Sequence, residues 1–156
     1  MMHTLSTLAL LVALPSLLAA QAAAGGDAAA VEAWLKGYDA AFMAKDLDRL
    51  AAFYHPDVTI YEGAGINNGW ADYRDRHLGP ELKSFSNLQF GHTETKVTVL
   101  PGGQSAYATS RYTIKAKMGD RELDSEGLET LLLINTSGGW KIRHSHTSGR
   151  ARRPAQ

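Results

Sequence analysis

The sequence predicts an α+β domain in which N-terminal helices pack on a curved antiparallel sheet. Two features carry this prediction. Between residues 31 and 42, apolar side chains recur every three or four positions, which is the spacing of one helical face. From residue 88 onward the chain instead alternates apolar and polar side chains in runs that end at Gly, Pro or Asn. This order, without an internal repeat, indicates a single domain over residues 31–149.

Further elements follow the first helix. Asp46 can cap a second helix, which should stop at His55 because Pro56 disfavours helical geometry in the residue before it. A short strand is predicted over residues 58–62, and after a Gly- and Asn-rich loop a helical pattern spans residues 70–85. The four long strand-like runs cover residues 88–100, 105–118, 122–134 and 140–148.

The first 22 residues are predicted to be a secretory signal peptide. Residues 5–14 are almost entirely apolar, and small residues lead to a cleavage site after Ala22 or, alternatively, after Ala20. The apolar run is too short and too interrupted for a comfortable membrane span. We therefore expect a periplasmic or secreted protein that makes no contact with the membrane once the signal is removed.

Charge and cysteine content exclude several classes of protein. The chain has 16 basic and 16 acidic residues, and this neutrality argues against a nucleic-acid partner. It has no cysteine, so its stability must come from packing and not from disulfides. Residues 23–30 are predicted to be a linker in which Asp27 caps the first helix, and residues 150–156 a basic disordered tail.

The last predicted strand, from Trp140 to Ser148, changes character along one face. Alternate side chains share a face, so Ile142, His144 and His146 are expected to point the same way. A face that begins apolar and becomes polar is typical of a strand that leaves the core and lines a pocket. The alternative is a strand that runs into solvent with its histidines exposed. If the histidines share a cavity with Arg111, stability should fall in mild acid.

Two motifs give the chain a family resemblance. The run from Ala44 to Asp48, followed by Phe53 to Val58, resembles the helix–helix–strand opening of the SnoaL-like, nuclear transport factor 2-like superfamily. The run from Gly139 to Gly149 is similar to the last strand of the association domain of calcium/calmodulin-dependent protein kinase II, where Arg111 and Glu129 also have counterparts. The resemblance covers residues 31–149. It implies a cone-shaped α+β fold, a polar cavity and dimerisation across the sheet, although many unlike functions share this fold.

Ketosteroid isomerase, which also has this fold, gives a second comparison. That enzyme uses a carboxylate base together with an oxyanion hole made by a tyrosine and a neutral acid. The resemblance implies the oxyanion tyrosine at Tyr38, the general base at Glu62 and the neutral acid near Glu129. Both acids are Glu here and are one methylene longer, and the surrounding sequence is not close. A steroid substrate is therefore not implied.

The pattern of the residues bears on two of these positions. Glu62 follows Val58 and Ile60 on one strand face, so we expect it to point inward, where burial would raise its pKa and suit it to proton transfer. The alternative is a strand-end Glu that reaches solvent. Tyr38 lies on the apolar face of the first helix, either as a cavity hydroxyl or as a core tyrosine with any available partner.

Arg111 and Glu129 are expected on neighbouring strands, where a buried arginine needs a carboxylate partner. The two residues either form a structural ion pair, or Arg111 binds an anionic ligand. The two combine if a ligand carboxylate completes the arginine's fork.

His144 and His146 have the His-x-His spacing that presents two rings for a metal. A third ligand would have to come from Glu62, His92 or Glu129. The kinase association domain carries a similar pair without a metal, so we expect no metal here. The sequence also has no Walker A loop, dinucleotide fingerprint or Gly-x-Ser-x-Gly elbow. We expect no cofactor, and any chemistry would be acid–base work.

Three functions remain open at this point. The first is an exported domain that binds a small polar or anionic molecule through Arg111, Glu129, His144 and His146. The second is a cofactor-free isomerase, hydratase or cyclase with Glu62 as general base. The third is an oligomerisation module. A homodimer is expected because the curved sheet should leave an apolar convex face, with candidate residues Tyr107, Tyr112, Leu131 and Leu133.

Overall fold

The computed structural model describes residues 17–152, with side chains from residue 28 onward. Residues 1–16, which hold most of the predicted signal peptide, and residues 153–156 lie outside this range. The helices are α1 (Leu17–Met43), α2 (Leu47–Ala51), α3 (Trp70–Tyr73), a π-helical turn (Arg74–Leu78) and α4 (Gly79–Ser84). The strands are β1 (Tyr54–Glu62), β2 (Gly65–Asn68), β3 (Phe85–Val99), β4 (Ser105–Met118), β5 (Arg121–Thr136) and β6 (Gly139–Ala151).

The strands form one six-stranded sheet in the order β2-β1-β6-β5-β4-β3. The predicted α+β class is confirmed, because the helices pack on one face of this curved sheet. The prediction of a purely antiparallel sheet was wrong in one respect. The last strand, β6, inserts between β5 and β1 and runs parallel to β1, so the sheet is mixed.

The first helix is longer than predicted. It begins at Leu17, so the predicted linker at residues 23–30 is helical and Asp27 lies inside the helix instead of capping it. Alanine dominates this segment, and alanine has the highest helix propensity of any residue. The cap of α2 is confirmed, since the Asp46 side chain accepts a hydrogen bond of 2.9 Å from the Arg49 amide. That helix ends at Ala51, earlier than predicted, and the chain enters β1 at Tyr54.

The core lies between the helices and the concave face of the sheet. Its largest fully buried side chains come from α2, the helical segment after β2, and the two central strands; among them are Leu50, Leu78, Leu82, Leu131, Leu133 and Ile142. Leu131 and Leu133 therefore belong to the core and not to a dimer surface. Among the helices that the structure describes, none is long and apolar enough to cross a bilayer.

The predicted disordered tail is partly ordered. Arg150 and Ala151 belong to β6, and the Arg152 amide donates a 2.9 Å hydrogen bond to the Asp124 carbonyl. The Arg150 guanidinium lies 3.1 Å from a Glu126 carboxylate oxygen. Cross-strand hydrogen bonds and ion pairs thus extend the sheet to the end of the described residues.

Candidate active site

The last strand contains a bulge that decides which side chains enter the concave side. Leu133 pairs with Ile142, but its neighbour Leu132 pairs with His144, so Arg143 is an extra residue on β6. One inserted residue moves every following side chain to the opposite face. Ile142 and Ser145 are consequently buried on the concave side.

The expectation that His144 and His146 line the pocket is therefore wrong. Both rings lie on the convex face, where the Tyr61 ring meets them edge-on at centroid distances of 5.1 and 6.1 Å. The His144 Nδ1 atom is 2.7 Å from the Thr59 hydroxyl. The sheet separates both histidines from the cavity, which removes them from any shared metal site with residues of the concave side.

Arg111 also lies on the convex face. In β4 the buried side chains are Ala106, Ala108, Ser110 and Ala116, all at even-numbered positions, so Arg111 points the other way. Its side chain is 58% exposed and its Nε donates to Glu94 at 3.2 Å. The predicted pairing with Glu129 does not form, and the pH effect expected from Arg111 beside two histidines in one cavity loses its basis.

A cavity of about 420 Å³ opens between α1, the helical segment from residue 70 to 84 and the concave face of the sheet. Three of the predicted residues, Tyr38, Glu62 and Glu129, line it. About half of its wall is apolar and aromatic, formed by Phe42, Tyr73, Leu78, Phe85, Phe90, Tyr112, Ile114 and Leu123. The other half is polar and includes the charged side chains of Glu62, Glu81, His92, Glu129 and Arg150. A concave wall that combines aromatic surface with convergent polar groups is typical of a small-molecule site.

A chain of charged hydrogen bonds crosses the cavity wall from α1 to β6. The His92 ring on β3 lies between two carboxylates, with Nδ1 2.6 Å from Asp39 and Nε2 2.7 Å from Glu129. The His92 amide also donates to Asp39 at 3.1 Å, and the Ser145 hydroxyl donates to the other Glu129 oxygen at 2.8 Å. Both oxygens of Glu129 thus accept hydrogen bonds. In this arrangement Glu129 is an acceptor, unlike the neutral proton donor that the ketosteroid isomerase comparison implied.

The His92 imidazole is held in its cationic form. Burial lowers its pKa, but the hydrogen bonds and charges of Asp39 and Glu129 outweigh burial and raise the pKa to about 9. Both ring nitrogens are then N–H donors, and each has a carboxylate acceptor. His92 is therefore a fixed cation that orients Glu129 and ties α1 to the sheet.

The Tyr38 hydroxyl, whose residue lines the cavity, meets the hydroxyl of the buried Tyr54. Tyr38 Oη and Tyr54 Oη are 2.8 Å apart, and Tyr54 stacks on Trp70 with ring centroids 4.7 Å apart. Burial raises the pKa of Tyr38, and the nearby Tyr54 and Tyr73 raise it further. Tyr38 thus keeps its proton at neutral pH. Either hydroxyl of the pair can be the donor. When Tyr54 donates, the Tyr38 proton is free to bond to an oxygen in the cavity.

Glu62 lies at the mouth of the cavity, with its side chain 44% exposed. Burial raises the pKa of its carboxyl, the His77 ring lowers it, and Glu81 and Glu129 raise it. A carboxyl with a raised pKa is a stronger base than an ordinary surface Glu, which suits it to proton transfer near neutral pH.

The outer part of the cavity is shaped by Tyr112, which lies flat against two glycines. Gly127 of β5 is paired with Tyr112 on one side and with Gly149 of β6 on the other. A Cβ atom at Gly127 would come within 2.6 Å of the Tyr112 ring and collide with the Ser148 carbonyl. The absence of both side chains lets the tyrosine ring lie over the sheet and form part of the cavity wall.

A family model described as a SnoaL-like domain matches residues 31–151, which is most of the chain. The protein belongs to the SnoaL-like domain family. A search of curated proteins finds no match.

Solved structures of the same fold resemble the SnoaL-like domain over most of their length. A predicted ketosteroid isomerase from Shewanella frigidimarina is 27% identical with a TM-score of 0.64, over 81% of this chain and 94% of that one. A predicted dehydratase of the nuclear transport factor 2-like family from Streptomyces avermitilis is 19% identical with a TM-score of 0.71, over 82% and 99%. A predicted calcium/calmodulin-dependent protein kinase II association domain from Xanthomonas campestris is 18% identical with a TM-score of 0.65, over 80% and 87%.

The Asp39–His92 pair is the part of the site that sequence reasoning missed. Asp39 lies four residues after Leu35 and three before Phe42, so helical spacing already put it on the inward face of α1. A charged residue on an apolar face needs a buried partner. The sequence predicts no role for His92 beyond that of a third metal ligand. Within the range that the structure describes, no three or more His, Cys, Asp or Glu side chains are arranged to hold a metal ion.

Proposed function

We propose that the cavity is the active site of a cofactor-free acid–base enzyme, an isomerase or a dehydratase, that moves a proton on carbon beside a carbonyl group. The observation that carries this proposal is the arrangement of Glu62 and Tyr38. A carboxyl whose pKa is raised by burial and a buried tyrosine hydroxyl face one cavity from different walls. Base and oxyanion donor are the two groups that enolate chemistry requires.

The proposed reaction begins with proton transfer from carbon to Glu62. The Glu62 carboxylate takes a proton from the carbon next to the substrate carbonyl, and the electron pair of that C–H bond moves into the enolate. The Tyr38 hydroxyl turns its proton to the enolate oxygen and then accepts a hydrogen bond from Tyr54, since either hydroxyl of the pair can be the donor. An isomerase returns the proton to another carbon, whereas a dehydratase expels a β-hydroxyl that takes up a proton as it leaves.

The lining of the cavity favours an uncharged, ring-sized substrate over the anionic ligand expected from the sequence. The anion argument depended on Arg111, His144 and His146, which lie on the convex face. Two cations do line the cavity, and both are already paired: His92 lies between two carboxylates, and Arg150 binds Glu126. Phe42, Phe90 and the tyrosines offer mainly apolar contact. The similarity to a predicted ketosteroid isomerase supports the same class of chemistry.

Turnover can be tested with a panel of one- and two-ring β,γ-unsaturated ketones and β-hydroxy ketones, whose products are conjugated enones visible by ultraviolet absorbance. We expect Glu62→Gln to lower kcat at least about 100-fold, because general-base catalysis is typically worth that much. Tyr38→Phe should also lower kcat. Glu94→Gln is the matched control, since Glu94 is an exposed acid on the convex face.

Two outcomes would oppose this proposal. Full activity in Glu62→Gln would remove Glu62 from the reaction. Binding of these ketones by the wild type without conversion of any of them would leave the protein as a binding domain.

We also propose that two copies pair through their convex faces. The convex face exposes four large apolar side chains: Tyr61, Tyr107, Leu128 and Leu132. Tyr112, which the sequence predicts for the same dimer face, lines the cavity instead. Leu132→Glu is expected to shift the protein toward monomer in sedimentation velocity, and Met43→Glu, an exposed position at the end of α1, should not. A monomeric wild type at micromolar concentration would count against pairing. Export to the periplasm or medium stays a prediction.

A further inference from the structure

A cluster of three titratable side chains stands at the mouth of the cavity. The His77 Nε2 atom lies 3.6 Å from a Glu62 carboxylate oxygen and 3.5 Å from a Glu81 carboxylate oxygen. The three residues come from β1, the π-helical turn and α4. The His77 side chain is 24% exposed, so its ring contacts both the Glu62 carboxylate and solvent.

The other ring nitrogen of His77 is held by Asn67. The Asn67 Nδ2 atom donates to Asp72 at 3.0 Å, and the Asn68 amide donates to the same carboxylate oxygen at 3.1 Å. A flipped Asn67 amide would place its oxygen against that carboxylate, so the orientation is determined by chemistry. Asn67 Oδ1 therefore faces His77 Nδ1 at 2.9 Å and accepts a hydrogen bond from the Nδ1–H group. In the neutral ring, Nε2 has the free lone pair, and it points at the two glutamates.

A π-helical turn brings His77 to this position. The Gly79 amide closes the wide turn on the Arg74 carbonyl, and a Cβ atom at Gly79 would lie 2.5 Å from that oxygen. A side chain at residue 79 would thus oppose the turn. Single π-helical turns inside helices are rare and are frequently found at functional sites. This turn packs the His77 ring against the Tyr73 ring at 5.2 Å and directs its Nε2 toward β1.

We propose that His77 relays protons between Glu62 and solvent, and that it acts on the reaction through Glu62 and not by touching substrate. The proposal rests on Glu62 being the base. After Glu62 has taken a proton from carbon, Glu62 Oε2–H gives that proton to His77 Nε2, which restores the carboxylate and leaves an imidazolium. The Nδ1–H bond to Asn67 stays intact. The imidazolium then releases the Nε2 proton to water at the cavity mouth. In an isomerase the relay next runs in reverse, so that Glu62 receives a solvent proton and delivers it to the second carbon.

The charges around His77 agree with this direction of transfer. Glu81 raises the His77 pKa through a hydrogen bond, burial lowers it, and the charges of Glu62 and Glu81 raise it further. Burial raises the Glu62 pKa, while the His77 ring lowers it and Glu81 and Glu129 raise it. Tyr73 on α3 and Asp72, through Asn67, are the remaining titratable groups that adjoin the ring. Both carboxylates therefore stabilise the protonated His77 ring.

Nuclear magnetic resonance can test the relay without a substrate, on protein labelled in its Glu and His side chains. In wild type we expect Glu62 and His77 to titrate as a coupled pair, with the proton of the neutral ring on Nδ1. His77→Gln should shift the Glu62 midpoint upward, because a positive neighbour is lost. His55→Gln is the matched control, since His55 pairs with Asp57 outside the cavity and should leave Glu62 unchanged. An unchanged Glu62 midpoint in His77→Gln, or a neutral ring with its proton on Nε2, would overturn the relay.

A substrate found in the ketone panel adds a second readout. Run in D₂O, the wild type should incorporate more solvent deuterium into product than His77→Gln, because the relay exchanges the proton held by Glu62. Equal incorporation in the two proteins would overturn the relay even if turnover is normal. If Glu62→Gln keeps full activity while Glu62 and His77 titrate together, the enzymatic proposal fails and the coupled pair stands alone.

Discussion

The wild-type protein is expected to lose on the order of 3 kcal/mol of stability as the pH rises from about 6.5 to above 9, because His92 gives up its proton in the folded state over that range. The folded pKa of about 9 lies above the value of 6.5 for an ordinary histidine. The contribution of His92 is therefore complete below pH 6.5 and disappears as the pH passes 9. This slope is opposite in sign to the acid sensitivity that His144, His146 and Arg111 predicted from the sequence.

The variant His92→Leu isolates this contribution. It leaves Glu129 and Asp39 without their cation, and removing one partner of a buried ion pair typically costs about 3–5 kcal/mol. We expect urea unfolding at pH 6.5 to show this loss, and the difference from wild type to shrink toward pH 9. The measurements should stay below pH 10, where tyrosines of the unfolded chain begin to lose their protons. Burial raises the pKa values of Tyr38 and Tyr73 in the folded protein, so their titration would add a second loss of stability above that pH.

Two further variants control the comparison. His55→Leu changes a histidine that is paired with Asp57 at the surface and should cost far less. Adding Glu129→Gln to His92→Leu should recover part of the loss, because a neutral amide replaces the unpaired carboxylate. A cost for His92→Leu no larger than that for His55→Leu would show that the His92 network does not hold α1 to the sheet.

Gly127→Ala is expected to destabilise the fold by roughly 3 kcal/mol, at the upper end of the usual cost of overpacking. The new methyl group would meet the Ser148 carbonyl of the adjacent strand, and backbone at the centre of a sheet cannot move aside cheaply. It would also press on the Tyr112 ring at 2.6 Å and reshape the cavity wall. Thermal and urea unfolding measure the loss, and ketone turnover reports the change in the cavity.

Two other glycines provide the comparison. Gly138→Ala, in the turn before β6, has its nearest non-adjacent atom at 3.7 Å and should be nearly neutral. Gly149→Ala meets chiefly the Tyr112 hydroxyl, the far end of a side chain, so Tyr112→Phe should relieve it. Equal stability of Gly127→Ala and Gly138→Ala would contradict the close approach of the Ser148 carbonyl and the Tyr112 ring to Gly127.

The sequence by itself was sufficient for features that depend on local spacing. The 3.6-residue period of α1, the Asp46 cap and the alternation along β1 act within a few residues, and they predicted the α+β order and the inward direction of Tyr38 and Glu62. The opening and closing motifs led to the correct family for the same reason, since they are contiguous in the chain. Spacing within Asp39's helix also contained the signal for an inward acid.

Tertiary structure alone decided which face of the later strands is buried. Strand parity is read by counting residues, and the bulge at Arg143 changes the count without any mark in the sequence that local rules detect. The direction of the Arg111 side chain could not be predicted from the sequence either, because both faces of β4 carry small, aromatic and polar side chains. The network of Asp39, His92 and Glu129 joins three elements 37 and 53 residues apart. Long-range pairing sets such contacts, and the energy that fixes their register comes from burying one face of the whole sheet.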